Sequence, residues 1–180
     1  MSNNSLLSSE LLEKVITALK SFLNNDRQLL TLSASERSIS HKLAEHLQKE
    51  FLEWHVDCEY NRRGDRPKAI PKILFDNIAD NDKDAKTIFP DIIVHKRGQP
   101  DNLLVVEVKK SNSRESDKND KIKLKALADP NGDYRYKVGL LIVFDVGNWN
   151  IGNVKCFKDG REVGLNPTIK AKIKAINDGL

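Results

Sequence analysis

The chain has 180 residues, the length of one domain at roughly 100–200 residues per domain, and a second domain is not expected. Leu, Ile, Val and Phe supply 52 residues, 29% of the chain, clear of the range below about 20% that marks disorder, so a packed core can form. The net charge of +4 is uneven: residues 1–60 carry six Lys and Arg against nine Asp and Glu, and residues 61–180 carry 24 against 17, a bias compatible with a polyanionic partner.

The first helix is predicted over residues 10–23, where Leu11, Leu12, Val15, Ile16, Leu19, Phe22 and Leu23 recur at helical spacing before Asn24-Asn25-Asp26. A second helix is expected from Ser33, because Ser33-Ala34-Ser35-Glu36 reads as a capping box, with Ile39, Leu43 and Leu47 on one face and an end near Phe51. Trp54 to Tyr60 has strand composition, and its alternation puts Trp54, Val56 and Cys58 on one face. Residues 61–89 hold Gly64, Pro67 and Pro71 and read as a long loop with one short element near 73–78. Ile92 to Val94 and Leu103 to Val108 flank a polar turn and predict a β-hairpin.

Beyond it a third helix is expected from Asp117 to Ala128, and the apolar run Val138 to Phe144 suits a central strand covered on both faces. Val154 to Phe157 and Glu162 to Leu165, with a turn at Asp159-Gly160, suggest a terminal hairpin or edge strand, and Asn166-Pro167 is expected to cap a last helix over 168–176. The order predicts an α/β (α+β) domain with one mixed sheet flanked by helices. That apolar run, at seven residues, is far short of the roughly twenty needed to cross a bilayer. The first ten residues lack a basic residue before the leucines and an apolar core, so no secretory signal is expected. A cytoplasmic protein with Cys58 and Cys156 as reduced thiols and no membrane partner is the expectation.

The chemistry concentrates in Leu103-Leu104-Val105-Val106-Glu107-Val108-Lys109-Lys110. A carboxylate inside an apolar strand needs a partner, a metal or an open face, because burying it alone is expensive. Strand periodicity places Glu107 and Lys109 on one face and Val106 and Val108 on the other. The turn is centred near residue 99, and reflection about it brings Asp91 opposite Glu107. Cβ atoms of opposed residues lie roughly 4.5–5.5 Å apart, so the two carboxylates can share a divalent cation. Hard oxygen donors without neighbouring His or Cys favour Mg²⁺ or Mn²⁺, and Lys109 is placed to hold or deprotonate a water.

Pro90-Asp91 followed by Glu107-Val108-Lys109 resembles the signature of the PD-(D/E)xK nuclease superfamily. The resemblance implies a restriction-endonuclease-like core over about residues 33–157, with the first helix and the 154–176 hairpin and helix as extensions. It implies a Mg²⁺- or Mn²⁺-dependent nuclease, with Asp91 and Glu107 binding metal, the Val108 carbonyl joining them and Lys109 assisting the attacking water. Ser35-Glu36-Arg37 is similar to the helix-borne Glu of Holliday-junction resolvases, which implies a catalytic or metal role for Glu36. DNA is then the expected partner, cut as an endonuclease, with Lys110, Lys121 and Lys123 as candidate phosphate contacts. Cutting both strands would call for two such sites and hence a homodimer.

Each residue also has a plainer reading. Glu107 and Lys109 can form an ion pair on a solvated sheet face, Asp91 can be a turn residue, and the capping box alone accounts for Glu36. Lys110 can be an edge charge, and Lys121, Lys123 and Lys125 can face solvent. His41 and His46 read as surface residues, His55 and His95 have no partner recognisable in the sequence, and Asp145 can cap a turn. The corresponding functional alternative is a non-catalytic nucleic-acid-binding or assembly module with the same fold.

Overall fold

Two unbroken apolar runs need cover on both sides, and the element order supplies it. The computed structural model describes residues 3–63, 66–71 and 85–179. Helices α1 (Asn3–Asp26), α2 (Gln28–Thr31) and α3 (Glu36–Glu50) lead into strand β1 (His55–Cys58). The short strands β2 (Arg62–Arg63), β3 (Arg66–Pro67), β4 (Ala69–Pro71) and β5 (Ala85–Thr87) follow. Then come β6 (Ile92–His95), β7 (Asn102–Lys110), α4 (Lys118–Leu127), β8 (Val138–Asp145), β9 (Asn150–Lys158), β10 (Arg161–Val163) and α5 (Pro167–Asp178).

Six strands form one mixed sheet in the order β1-β6-β7-β8-β9-β10. Strands β7 and β8 at its centre are parallel, and the other neighbours are antiparallel. Parallel neighbours require a crossover, and α4 provides it. One face carries Ile92, Val94, Leu104, Val106, Val108, Leu140, Ile142 and Phe144 against the apolar stripes of α1, α3 and α5. The other carries Ile93, Val105, Leu141 and Phe157 against Leu124 and Leu127 of α4 and the rings of Tyr134 and Tyr136. Gly139 on β8 lets α4 come close, since a Cβ there would meet Leu124 Cδ2 at 3.2 Å and Phe157 Cβ at 3.3 Å. No helix among the described residues is long and apolar enough to cross a membrane.

The expected elements are present with shifted ends. The first helix begins earlier than residue 10 and ends at Asp26, and the first strand is confined to His55–Cys58; Trp54, Val56 and Cys58 share one face as expected, and that face packs on the core that holds the α3 stripe. Within 61–89 the described residues pair as β2 with β3 and β4 with β5; the element expected near 73–78 lies outside them. The last strand stops at Val163, while α5 starts on the predicted cap, Asn166 Oδ1 accepting from Ile169 N–H at 2.8 Å.

Three sequence readings are corrected. The N-cap of α3 is Ser35, whose Oγ accepts from Ser38 N–H at 3.1 Å, whereas Ser33 turns at φ 48°. Glu36 is therefore the first helical residue, and the expected capping box does not form. His46 is buried, not superficial: it is hydrogen-bonded to Ser21 Oγ at 3.0 Å and Asp26 Oδ2 at 2.7 Å, tying α3 to α1. Although these three residues have the composition of a hydrolytic triad, Ser21 projects from a continuous helix, and its hydroxyl is engaged by His46 in the contact between α1 and α3. His95 also has a partner, Asp57 Oδ2 at 2.8 Å, and His55 Nδ1 accepts from Arg97 N–H at 3.2 Å.

The capping correction gives a direct test. Ser35→Ala should cost about 1 kcal/mol in urea unfolding, and Ser33→Ala no more than about 0.5 kcal/mol, as at an ordinary surface position.

Candidate active site

The hairpin register sets the site. Ile92 pairs with Val106 and Ile93 with Val105, which continues to Asp91 opposite Glu107, as the reflection about residue 99 predicts. The register slips between Val94 and His95, beyond the part that matters for the carboxylates. Asp91 Oδ2 accepts from the Val108 N–H at 2.7 Å, so this carboxylate is pinned to the strand that bears Glu107. Glu107 is 1% exposed, and its neighbour on the same face, Lys109, is 8% exposed.

That face looks at α4, not at solvent, and α4 answers it with charge. Lys123 Nζ donates to Glu107 Oε2 at 2.5 Å and lies 3.1 Å from Asp120 Oδ1. Lys109 Nζ is 3.1 Å from Asp120 Oδ2. The result is an alternating array, Glu107–Lys123–Asp120–Lys109, built across a strand and a helix. Glu107 Oε1, by contrast, is fully buried with no hydrogen-bond partner. An orphaned carboxyl oxygen at this depth is expensive, and the charge of Asp91, opposite in register, acts on the same carboxyl.

The electrostatics follow from burial and like charge. Burial, then the charge of Asp91, raises the Glu107 carboxyl well above the usual range despite Lys123. Burial raises Asp91 too, only partly offset by the Val108 N–H. For Lys109, burial works against the ammonium but the bond and charge of Asp120 prevail, so it is held charged. Lys123 is likewise held charged against its burial by Glu107 and Asp120. A lysine stabilised in its protonated form is a hydrogen-bond donor, and of the two roles considered for Lys109 this favours holding a water over deprotonating it.

Glu36 enters from the opposite helical layer. Its stripe with Ile39, Leu43 and Leu47, each 0% exposed, points inward as expected. Freed from capping, its Oε1 accepts from the Lys110 N–H at 2.9 Å, at the end of β7. Glu36 also contributes to the field at both Asp91 and Lys109. Beside Asp91 a groove of about 510 Å³ opens along α3, lined by Arg37, Ser38, His41 and Lys42.

The candidate phosphate contacts divide. Lys123 points into the carboxylate array and is not a surface contact, because it shares a helical stripe with Leu124 and Leu127. Lys121 is paired with Asp117 at 2.9 Å. Lys110 Nζ donates to Ser33 O at 3.1 Å, near the mouth of the site. Asp120 is the site residue that escaped the sequence reading. The i, i+3, i+4, i+7 relation of Asp120, Lys123, Leu124 and Leu127 was the available signal, since polar residues on a buried stripe need buried partners. Asp145 does cap a turn, accepting from Gly147 N–H at 2.9 Å and Asn148 N–H at 3.2 Å.

Among the described residues no three of His, Cys, Asp and Glu are gathered tightly enough to enclose a metal ion by themselves. The fit to a divalent cation rests on the facing pair and on the unsatisfied Glu107 oxygen, with hard oxygen chemistry throughout. No protein-family model matches the chain, and no curated protein matches it.

Asp91→Asn tests the electrostatics without any substrate. A carboxyl raised in the folded state penalises folding once pH exceeds its unfolded value, near 3.9, and the penalty grows until the folded group has ionised. The amide removes that penalty while it can still accept from Val108. The melting temperature of Asp91→Asn should therefore exceed that of wild type at pH 7, and the difference should shrink toward pH 3. A variant that unfolds at pH 7 would make Asp91 a structural residue.

Proposed function

We propose that the protein is a divalent-metal-dependent nuclease that hydrolyses phosphodiester bonds of nucleic acid, with DNA as substrate and internal cleavage as its mode. The observation that carries this is the buried Glu107 carboxyl, opposite Asp91 in the hairpin register and with no hydrogen-bond partner on Oε1, and Lys109 two residues further on the same strand face. The sequence resemblance to PD-(D/E)xK nucleases supports the same reading. Asp91 and Glu107 would hold Mg²⁺ or Mn²⁺, with the Val108 carbonyl beside them, and Glu36 would contribute from the end of α3. A bound ion supplies Lewis-acid stabilisation of the charge that develops on the phosphoryl oxygens.

The protein's own groups supply position. Lys109, held as an ammonium by Asp120, would orient a water for in-line attack and help balance negative charge on the phosphate. The groove along α3 carries Arg37, paired with Glu59 on the same wall, and His41 and Lys42, paired with Glu45; a strand that exchanged its phosphates for these carboxylates would run past Asp91. Affinity would come largely from Lys and Arg contacts to phosphates, so it should fall steeply with salt. We place the activity in the cytoplasm, where the thiols of Cys58 and Cys156, free in the structure, stay reduced.

One observation favours the non-catalytic alternative. Lys123 already sits at 2.5 Å from Glu107 Oε2, so an internal ammonium partly fills the role of a cation. The two readings differ in what Mn²⁺ does. In the nuclease reading the ion competes with the proton that burial and Asp91 favour on Glu107, so Mn²⁺ affinity measured by calorimetry should rise with pH and be accompanied by proton release. An affinity independent of pH would remove Glu107 from the ligand set.

Cleavage of labelled DNA should require Mg²⁺ or Mn²⁺, stop in excess EDTA, and be abolished by Asp91→Asn and Glu107→Gln. Lys109→Met should lose about 10²–10³-fold in rate, as for removal of one positioned donor, with unchanged DNA affinity in EDTA. Undiminished cutting in EDTA would contradict the metal mechanism, and full activity in Lys109→Met would remove the lysine from it.

A further inference from the structure

At the far end of the hairpin from Asp91 lies a second polar cavity of about 260 Å³. That is smaller than the roughly 300–1,000 Å³ of pockets for whole drug-sized ligands, and is suited to one compact group. Lys68, 2% exposed, lines it, together with Arg62, His95, Lys96 and Arg135; Asp133 is the carboxylate among its lining residues. The Lys68 ammonium donates to the Arg62 carbonyl at 2.6 Å and lies 4.6 Å from the centre of the Tyr60 ring. Among the described residues it forms no salt bridge.

The carboxylate whose field reaches Lys68 is Asp57, and Asp57 is committed elsewhere. Its Oδ2 bonds His95 at 2.8 Å and Arg97 Nε at 2.8 Å, and its Oδ1 bonds the other arm of the same guanidinium. An ammonium has three donors, and a carbonyl and an aromatic face do not balance its charge. Burial pushes the Lys68 ammonium down to about 8, and the field of Asp57 offsets this only in part. Arg135 adds a second unusual feature, standing at φ 51°, a left-handed conformation that costs a non-glycine residue energy and is retained where surrounding structure demands it.

We propose that this cavity is an anion site that takes a phosphate group, with Lys68 as its central donor and Arg62, Lys96 and Arg135 at its rim. Two sources offer that chemistry, a backbone phosphate of a bound nucleic-acid strand or a small free phosphate such as pyrophosphate. The strand source rests on the nuclease reading. His95 and Asp91 are four residues apart along β6, about 13 Å at strand rise, so one strand could meet both places a few nucleotides apart.

The test uses the full chain and two variants. Lys68→Met keeps the length of the side chain and removes its charge; Arg135→Ala changes an exposed residue and guards against a folding defect in the first. Pyrophosphate, without added metal, should raise the melting temperature of wild type and of Asp91→Asn, and should have little effect on either pocket variant. Because Asp91→Asn lacks the proposed metal ligand, this result is independent of whether the protein cuts DNA. Duplex binding in EDTA then separates the sources. A log–log salt slope flattened by about 0.9 in Lys68→Met assigns the pocket to one strand phosphate. An unchanged slope with a retained pyrophosphate response assigns it to a free anion. If pyrophosphate shifts wild type and Lys68→Met equally, or neither, and the slope is also unchanged, the anion site is overturned.

Discussion

Everything distinctive about this molecule follows from one ionisable residue placed where the sheet is otherwise apolar. Glu107 occupies the centre of β7, the strand flanked by β6 on one side and β8 on the other, and is 1% exposed. A carboxylate there cannot be left to water, so the structure around it must supply charge. Lys123 supplies one cation on Oε2, Asp120 holds Lys123 and Lys109 in turn, and Asp91 completes the far side of the hairpin. Oε1 has no hydrogen-bond partner, and a cation shared with Asp91 would satisfy it.

The scaffold makes this arrangement possible through simple geometry. The register of the β6–β7 hairpin fixes which carboxylates face each other. The crossover through α4, drawn close by Gly139, brings a helix over the strand face that bears Glu107 and Lys109. Helix α3 starts beside the end of β7, so a side chain on its first residue reaches the Lys110 N–H. Three elements thus meet at one end of the central strands, and the groove along α3 opens beside Asp91 there.

Much of this was legible in the residues. The hairpin register and the shared face of Glu107 and Lys109 follow from strand periodicity, a short-range rule that the structure respects. Glu36 was recognisable as inward-facing from its spacing with Ile39, Leu43 and Leu47, although its reason was misread because two serines compete for the cap and the second one wins. The partners of Glu107 were not legible in the same way. Asp120 and Lys123 reach the site through the packing of α4 on the sheet, which depends on tertiary contact with a glycine in a different strand. His46 and His95 were missed for a related reason, since Asp26 and Asp57, their partners, come from other elements.

The central claim is that the facing carboxylates of Asp91 and Glu107 form a divalent-cation site. A crystal soaked in Mn²⁺, with anomalous scattering recorded near the manganese edge, tests it most directly. The account predicts a peak in contact with Asp91, Glu107 Oε1 and the Val108 carbonyl. No peak there, with Lys123 still seated on Glu107 at saturating Mn²⁺, would contradict it and leave the ion-pair array as a structural feature of the fold.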